Sequence, residues 1–195
     1  MKKIILIGNM FLFLTACGMV APRYFCRYDT TQGRMSAENE YFKATIIPAE
    51  PREYAYEGNY PTGIITTPGE NSGYILKKAY TAFILTIVNK TSQDLELDWN
   101  KTLYIYNGET KGGFMFEGIV YKDRNNPKPP DIIFANSTFT KVIFPNSNVQ
   151  FTSWGWEHIP LPLGENGIYL VVKVGEKEIK EKLNLVLSRE KDEIK

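Results

Sequence analysis

Lys78–Tyr121 reads KAYTAFILTIVNKTSQDLELDWNKTLYIYNGETKGGFMFEGIVY, and its texture decides the fold class. The stretch is dense in β-branched and aromatic residues, which suit a pleated, half-buried surface. Tyr80–Val88 is largely apolar on both faces, the pattern of a strand inside a sandwich. Asn89-Lys90-Thr91-Ser92 reads as a turn. Leu95, Leu97 and Trp99 then alternate with Asp94, Glu96 and Asp98, so that one face meets a core and the other meets water. Leu103 and Ile105 continue that alternation. Asn107-Gly108 predicts a hairpin, because a type I′ turn needs positive φ at both central positions. Gly112-Gly113 extends the loop or adds a bulge before a strand over Phe114–Tyr121.

The same texture continues on either side. Asp123–Asp131 is a Pro-rich loop, followed by strands over Ile132–Phe134, Thr138–Phe144 and Val149–Ser153. Ser153–Gly167 reads as a second long loop. Ile168–Val174 and Ile179–Leu187 form a closing hairpin across Gly175-Glu176. Upstream, Tyr41–Ile47 is the first strand. A Pro- and Gly-rich stretch from Pro48 to Gly73 then predicts a long loop carrying Tyr54, Tyr56 and Tyr60. Strands recur at short spacing with turn signals between them, and no segment is convincingly helical. This predicts an all-β chain, an antiparallel Ig-like β-sandwich. Internal repeats are not evident.

The N-terminus, MKKIILIGNMFLFLTACG, has another character. Lys2 and Lys3 precede an apolar run from Ile4 to Leu14, the form of a secretory signal and too short to span a bilayer. Leu14-Thr15-Ala16-Cys17 resembles a bacterial lipobox: an aliphatic residue, two small residues, then a thiol able to carry lipid. The resemblance implies cleavage before Cys17, lipid on its sulfur and acylation of the new amine. Several chains attach a protein stably where one does not. Gly18 stands where an Asp often favours inner-membrane retention, which leans towards the outer membrane. The expected organisation is a signal peptide over 1–16, a lipidated irregular tether over 17–40, a sandwich domain over 41–188 and a charged tail over 189–195.

Cleavage would leave 179 residues, enough for one domain with a real core. The whole chain carries a formal charge of +1, and no basic patch of the kind nucleic-acid binding requires is present. With Cys17 lipidated, Cys26 is left alone, to pair between molecules or stay free; otherwise a small Cys17–Cys26 loop is open to it. No CxxC or Cys/His cluster marks a metal site.

AFILTIVNKTSQDLELDWNKTLYIYNG, residues 82–108, resembles the Ig-like folds of small bacterial envelope proteins. There a hydrophobic strand runs into an Asn-Lys-Thr-type turn and then an amphipathic strand ending in Trp. Lys78–Leu187 as a whole is similar to bacterial lipoproteins of unknown function. The Cys…Trp…Cys signature of antibody-type domains is missing around Trp99. The resemblance transfers no catalytic or binding residue.

His158 is the single histidine, in Trp154-Gly155-Trp156-Glu157-His158. A carboxylate can orient an imidazole, but adjacent residues on an extended chain point to opposite sides. No Gly-x-Ser-x-Gly elbow accompanies it, and Ser188-x-x-Lys191 lies at a strand end and in the charged tail. Asp94, Glu96 and Asp98 lie along a strand, not around a loop, and so predict a solvated face that discourages edge pairing, not a calcium site. Asn89, Asn100 and Asn136 fit glycosylation sequons and read as turn residues. Trp154 and Trp156 point the same way if extended, ahead of the Pro-stiffened Ile159–Leu163. Either they form an interaction surface or they cap one end of the core. The tyrosines at 54, 56 and 60 likewise either contact a partner or cover the sheet.

The expectation is a lipid-anchored envelope protein, on the periplasmic face of the outer membrane or at the cell surface. It acts as a non-catalytic binding or assembly module for an envelope protein partner. It needs no cofactor or metal and does not bind nucleic acid. The candidate contacts are Trp154, Trp156, His158, Tyr54, Tyr56 and Tyr60. The rivals are a carbohydrate or small-ligand binder, an enzyme working through His158 and a protease-inhibitor-like sandwich.

Overall fold

The computed structural model describes residues 24–29, 33–49, 52–57, 60–63, 75–153 and 155–191. In chain order the first strands are β1 (Tyr24–Asp29), β2 (Ser36–Glu38), β3 (Phe42–Pro48), β4 (Arg52–Glu57), β5 (Tyr60–Gly63), β6 (Ile75–Ala79), β7 (Phe83–Asn89), β8 (Leu95–Leu97) and β9 (Leu103–Tyr106). They are followed by β10 (Glu109–Thr110), β11 (Phe114–Phe116), β12 (Asp131–Ile133), β13 (Thr138–Pro145), β14 (Val149–Thr152), β15 (Gly155–His158), β16 (Gly164–Val174) and β17 (Lys177–Lys191). Among the described residues the only helical turns are two short 3₁₀ segments, Tyr121–Asp123 and Asn146–Asn148. The chain is all-β, built mostly from antiparallel sheets.

A ten-stranded sheet runs β10-β9-β16-β17-β1-β6-β4-β5, with β8 joined to β16 and β12 joined to β8. A five-stranded sheet runs β11-β13-β7-β3-β2. Their inner faces enclose one core, an arrangement consistent with a β-sandwich. From the smaller sheet come Phe42, Ala44, Ile46, Phe83, Leu85, Ile87, Phe114 and Ile143; from the larger come Leu95, Leu97, Ile168, Leu170, Val172, Leu183 and Leu185, all buried. Burying such aliphatic and aromatic side chains stabilises by about 1.5–3 kcal/mol each before entropy is counted. β7 shows how the sequence does this: Phe83, Leu85 and Ile87 turn inward while Ile84, Thr86 and Val88 turn out. Asn107 and Gly108, at φ 47° and 83°, make the type I′ turn between β9 and β10.

Several expectations are corrected. Tyr80–Val88 is not one strand buried on both faces. β6 and β7 belong to different sheets, the chain crossing between them at Tyr80–Ala82. The strand expected over Phe114–Tyr121 ends at Phe116, because Gly118 at φ 91° turns the chain away. Within the stretch read as an irregular tether, β1 pairs with β17 over Tyr24–Asp29, and β2 pairs with β3. Arg34 is also tied in: its N–H donates to Asn184 Oδ1 at 2.5 Å and its carbonyl accepts from Asn184 N–H at 2.9 Å. The expected long loop over Pro48–Gly73 contains the β4–β5 pair. Arg189–Lys191, read as tail, continue β17 against β1. For β1 and Arg34 the partner is remote in sequence, so local periodicity carries no sign of it, whereas β2–β3 and β4–β5 are local pairs whose short strands lack a clear alternation.

Nor is the Asp94–Asp98 face simply solvated. Glu96 pairs with Lys173 at 2.7 Å. Asp98 is buried, and its Oδ1 accepts the Asn100 N–H at 3.0 Å. Asp94 Oδ1 accepts the Ala135 N–H at 2.9 Å. Each carboxylate is thus engaged in holding a turn or a neighbouring strand.

Candidate functional site

β13 ends in Pro145, which cannot donate to a ladder. The chain turns through Asn146–Asn148 and returns as β14, then β15, a separate two-stranded hairpin. Sequence reading places Gly155–His158 in a loop; they instead form the return strand, with Phe151 opposite Trp156 and Val149 opposite His158. Trp156 and His158 are two apart on this strand and therefore share a face.

That face closes onto the Tyr121–Asp123 turn. The Trp156 indole stacks on Tyr121 at 5.6 Å and 10°, and meets Phe151 nearly edge-on at 5.3 Å. The Arg124 guanidinium lies 5.0 Å from the indole centroid, within cation–π reach. Tyr121 Oη and His158 Nε2 are hydrogen-bonded at 2.6 Å, and the imidazole packs against Phe144 at 4.0 Å. Trp156 is still 36% exposed and Phe151 largely so. Both readings of Trp156 therefore have a basis: the ring fastens the hairpin to the body and leaves an accessible edge.

The turn that receives the hairpin is itself braced. The Arg124 carbonyl accepts from Lys128 Nζ and from Asn146 Nδ2, each at 2.8 Å. Lys128 is buried, and that burial pushes its ammonium pKa below the ordinary lysine value. Asn100 completes the brace, accepting the Lys128 N–H at 2.8 Å and donating to the Lys128 carbonyl at 2.9 Å.

Between this hairpin, the Phe116–Tyr121 turn and β13 lies a half-open groove of about 670 Å³, lined by Phe116, Ile119, Tyr121, Val142, Phe144 and His158 among others. Val142 is 51% exposed on its wall. Lys141 forms part of the inner side. Its Nζ sits 2.5 Å from Asp131 Oδ2 and 4.1 Å from the Phe116 ring centroid. The same Asp131 oxygen accepts the Trp99 indole N–H at 2.8 Å. This carboxylate thus joins β12 of one sheet to β13 of the other and to a buried tryptophan.

Of the residues singled out from sequence, the structure brings together Trp156 and His158. Trp154 and Cys17 lie outside the described residues. Tyr54 and Tyr56 fall on β4 and Tyr60 on β5, at the far end of the ten-stranded sheet. Sequence reasoning misses Tyr121, Phe144, Val142 and Arg124. The usable signal for Phe144 and Val142 is the even-numbered alternation Thr138, Thr140, Val142, Phe144 along one strand. For Tyr121 it is Gly118, which breaks the strand that would otherwise carry it away.

Chemically the groove is a mainly apolar cleft with one imidazole–phenol pair, to whose lining Glu117, Thr140 and Lys141 add polar groups. Among the described residues, no three His, Cys, Asp or Glu side chains gather as a metal site, and no helix is long and apolar enough to cross a membrane. Comparisons with protein-family models, with curated proteins and with solved structures found no match for this chain.

Proposed function

We propose that this chain is a membrane-anchored cell-envelope lipoprotein, an Ig-like β-sandwich acting as a non-catalytic binding or assembly module through the groove beside β15. The anchor rests on Leu14-Thr15-Ala16-Cys17 at the end of the apolar run. The Ig-like reading rests on two sheets that share one core and on the strand-turn-strand pattern ending in Trp99. The binding role is carried by one observation above all: an open, mainly apolar groove whose wall includes the half-exposed Val142, beside the Tyr121–Trp156 stack. Surfaces of this kind, with aromatic anchors on a stiff frame, favour association. The non-catalytic reading is supported by the setting of His158, which faces a tyrosine hydroxyl and a phenylalanine ring.

The test is crosslinking in intact cells, comparing wild type with Val142→Glu and Trp156→Ala, with mass spectrometry of the captured species. The expected result is one recurrent envelope partner whose yield collapses in Val142→Glu, and a lipid mass on Cys17. A partner captured equally well by both variants would remove the groove from consideration. An unmodified Cys17 would remove the anchor.

A second reading, a carbohydrate-binding envelope protein, is favoured by the exposed edge of Trp156 beside Phe151. Quenching of tryptophan emission by oligosaccharides, abolished in Trp156→Ala, would support it over a protein partner.

A further inference from the structure

We propose that the groove takes an extended peptide by strand addition: a segment of a partner protein pairs with the open edge of β13 over Thr138–Val142. The inference rests on the binding-module reading above and gives the occupant a chemistry.

β13 pairs with β7 over Thr138–Ile143, but with β11 only over Ile143–Pro145. Along Thr138–Val142, no strand among the described residues occupies the second edge. The cause is local. Gly118 sits at φ 91°, and Ile119 N–H donates back to the Phe116 carbonyl at 3.2 Å, which turns the chain out of the sheet. The groove opens where β11 would have continued, and Thr140 and Val142 line it.

The backbone phase of β13 can be read from two hydrogen bonds. In an antiparallel ladder, alternate residues direct both N–H and C=O to the same side. Asn89 N–H donates to the Ser137 carbonyl at 2.9 Å, so the odd residues of β13 face β7. Asn146 N–H donates to the Gly113 carbonyl at 3.0 Å, so the even residues face the β11 side. Thr138 and Thr140 therefore turn their N–H and C=O towards the open edge. An unpaired edge of this kind is a template for another strand, and proteins use it to bind extended peptides. Side chains of the incoming strand alternate as well. One set meets Val142, Phe144 and His158; the other meets Phe116 and the Lys141 side.

Charge argues for a foreign strand, not a second copy. Lys141 belongs to the inner face, where its ammonium is held by Asp131 and the Phe116 ring. Antiparallel pairing of two copies about Lys141 or Thr140 would set two such ammonium groups directly or diagonally opposite, which like charges resist. An inward lysine beside an edge is a known guard against self-pairing. A neutral peptide with apolar residues at alternate positions meets no such opposition.

The experiment sorts a random peptide display library on the full chain, purified in detergent, and measures the selected peptides against Thr140→Pro and Val142→Glu. Thr140→Pro removes the outward N–H and no bond to β7, the kind of position where a strand tolerates proline. Strand addition predicts that peptides lose about tenfold in affinity on Thr140→Pro, as one backbone hydrogen bond should give. It also predicts that in the wild type the Thr138 and Thr140 amides exchange faster than those of Phe139 and Lys141, and slow when peptide binds. If Thr140→Pro does not fold, this exchange pattern decides alone. Selected peptides that weaken on Val142→Glu but not on Thr140→Pro would overturn strand addition while leaving the groove as the binding surface. Peptides indifferent to both variants would overturn both. A library that yields no binder would overturn the peptide assignment and leave the crosslinking result to judge the groove.

Discussion

Asp131 is one point at which side chains couple the two sheets. Its Oδ2 accepts from Trp99 Nε1 at 2.8 Å and from Lys141 Nζ at 2.5 Å, so Asp131→Ala removes two partners at once. Trp99 is only 3% exposed, and an indole N–H stranded there costs about 1–3 kcal/mol. The ion pair adds less. Its side chains are 25% and 31% exposed, and a partly solvated pair of this kind is worth about 0–1 kcal/mol. The Lys141 ammonium also keeps the Phe116 ring at 4.1 Å as a neighbour. The sum is about 1–4 kcal/mol, a fall in Tm of about 2–16 °C for a domain of this size. Asp131→Asn keeps an acceptor for the indole and loses only the charge, so it should cost less than half as much. Urea unfolding followed by circular dichroism and tryptophan emission measures both. Added salt should leave most of the Asp131→Ala deficit in place, because the larger part is a hydrogen bond and not a screened charge. An Asp131→Ala protein within about 0.5 kcal/mol of wild type, or an Asp131→Asn protein as damaged as the alanine variant, would refute this account.

Tyr104→Phe should cost about 1–3 kcal/mol, since the phenol donates to Asn166 Oδ1 at 2.6 Å and the substitution strands that buried oxygen. Burial, and secondarily the nearby Tyr106, pushes the Tyr104 phenol far above its ordinary pKa of 10.0. The folded state therefore holds this proton more tightly than the unfolded state. The stability it supplies is complete below pH 10.0 and declines as pH rises above it, so urea midpoints should fall less steeply with alkaline pH in Tyr104→Phe. Gly167→Ala should be severe for a different reason: a Cβ there would lie 2.5 Å from the Leu183 carbonyl oxygen, a backbone atom of the paired strand. A cost above about 2 kcal/mol is expected in thermal melts, and an alanine variant as stable as wild type would show that β16 and β17 are not so closely opposed.

What could be read from sequence was whatever is local. The Asn107-Gly108 turn, the β16–β17 hairpin across Gly175-Glu176 and the span of β13 are set by turn chemistry and alternation within a few residues. Part of what escaped is set by pairing at a distance. β1 has no strong alternation of its own, yet it lies between β17 and β6, remote from it in sequence. β15 was hidden because Gly155, Glu157 and two aromatic residues look like loop composition, whereas its hairpin is held by Tyr121 and Phe144 from other elements. Half of the candidate site was visible for the same reason. Trp156 and His158 attract notice as residue types, but the groove exists only because Gly118 diverts one strand from beside another.

The position of β1 has a mechanical consequence. Tyr24 lies seven positions after Cys17, and a chain of that length reaches at most about 25 Å. With lipid on Cys17, as proposed above, the leash is short, and the sheet must ride close to the bilayer surface. A tug along the strand axis enters β1 at Tyr24. Six register pairs with β17, from Tyr24–Lys191 to Asp29–Val186, then bear the load in shear, together and not one after another, and a parallel neighbour, β6, shares it at Tyr24 and Phe25. Were Cys17 lipidated as proposed, this pairing would resist the domain's being peeled from its anchor.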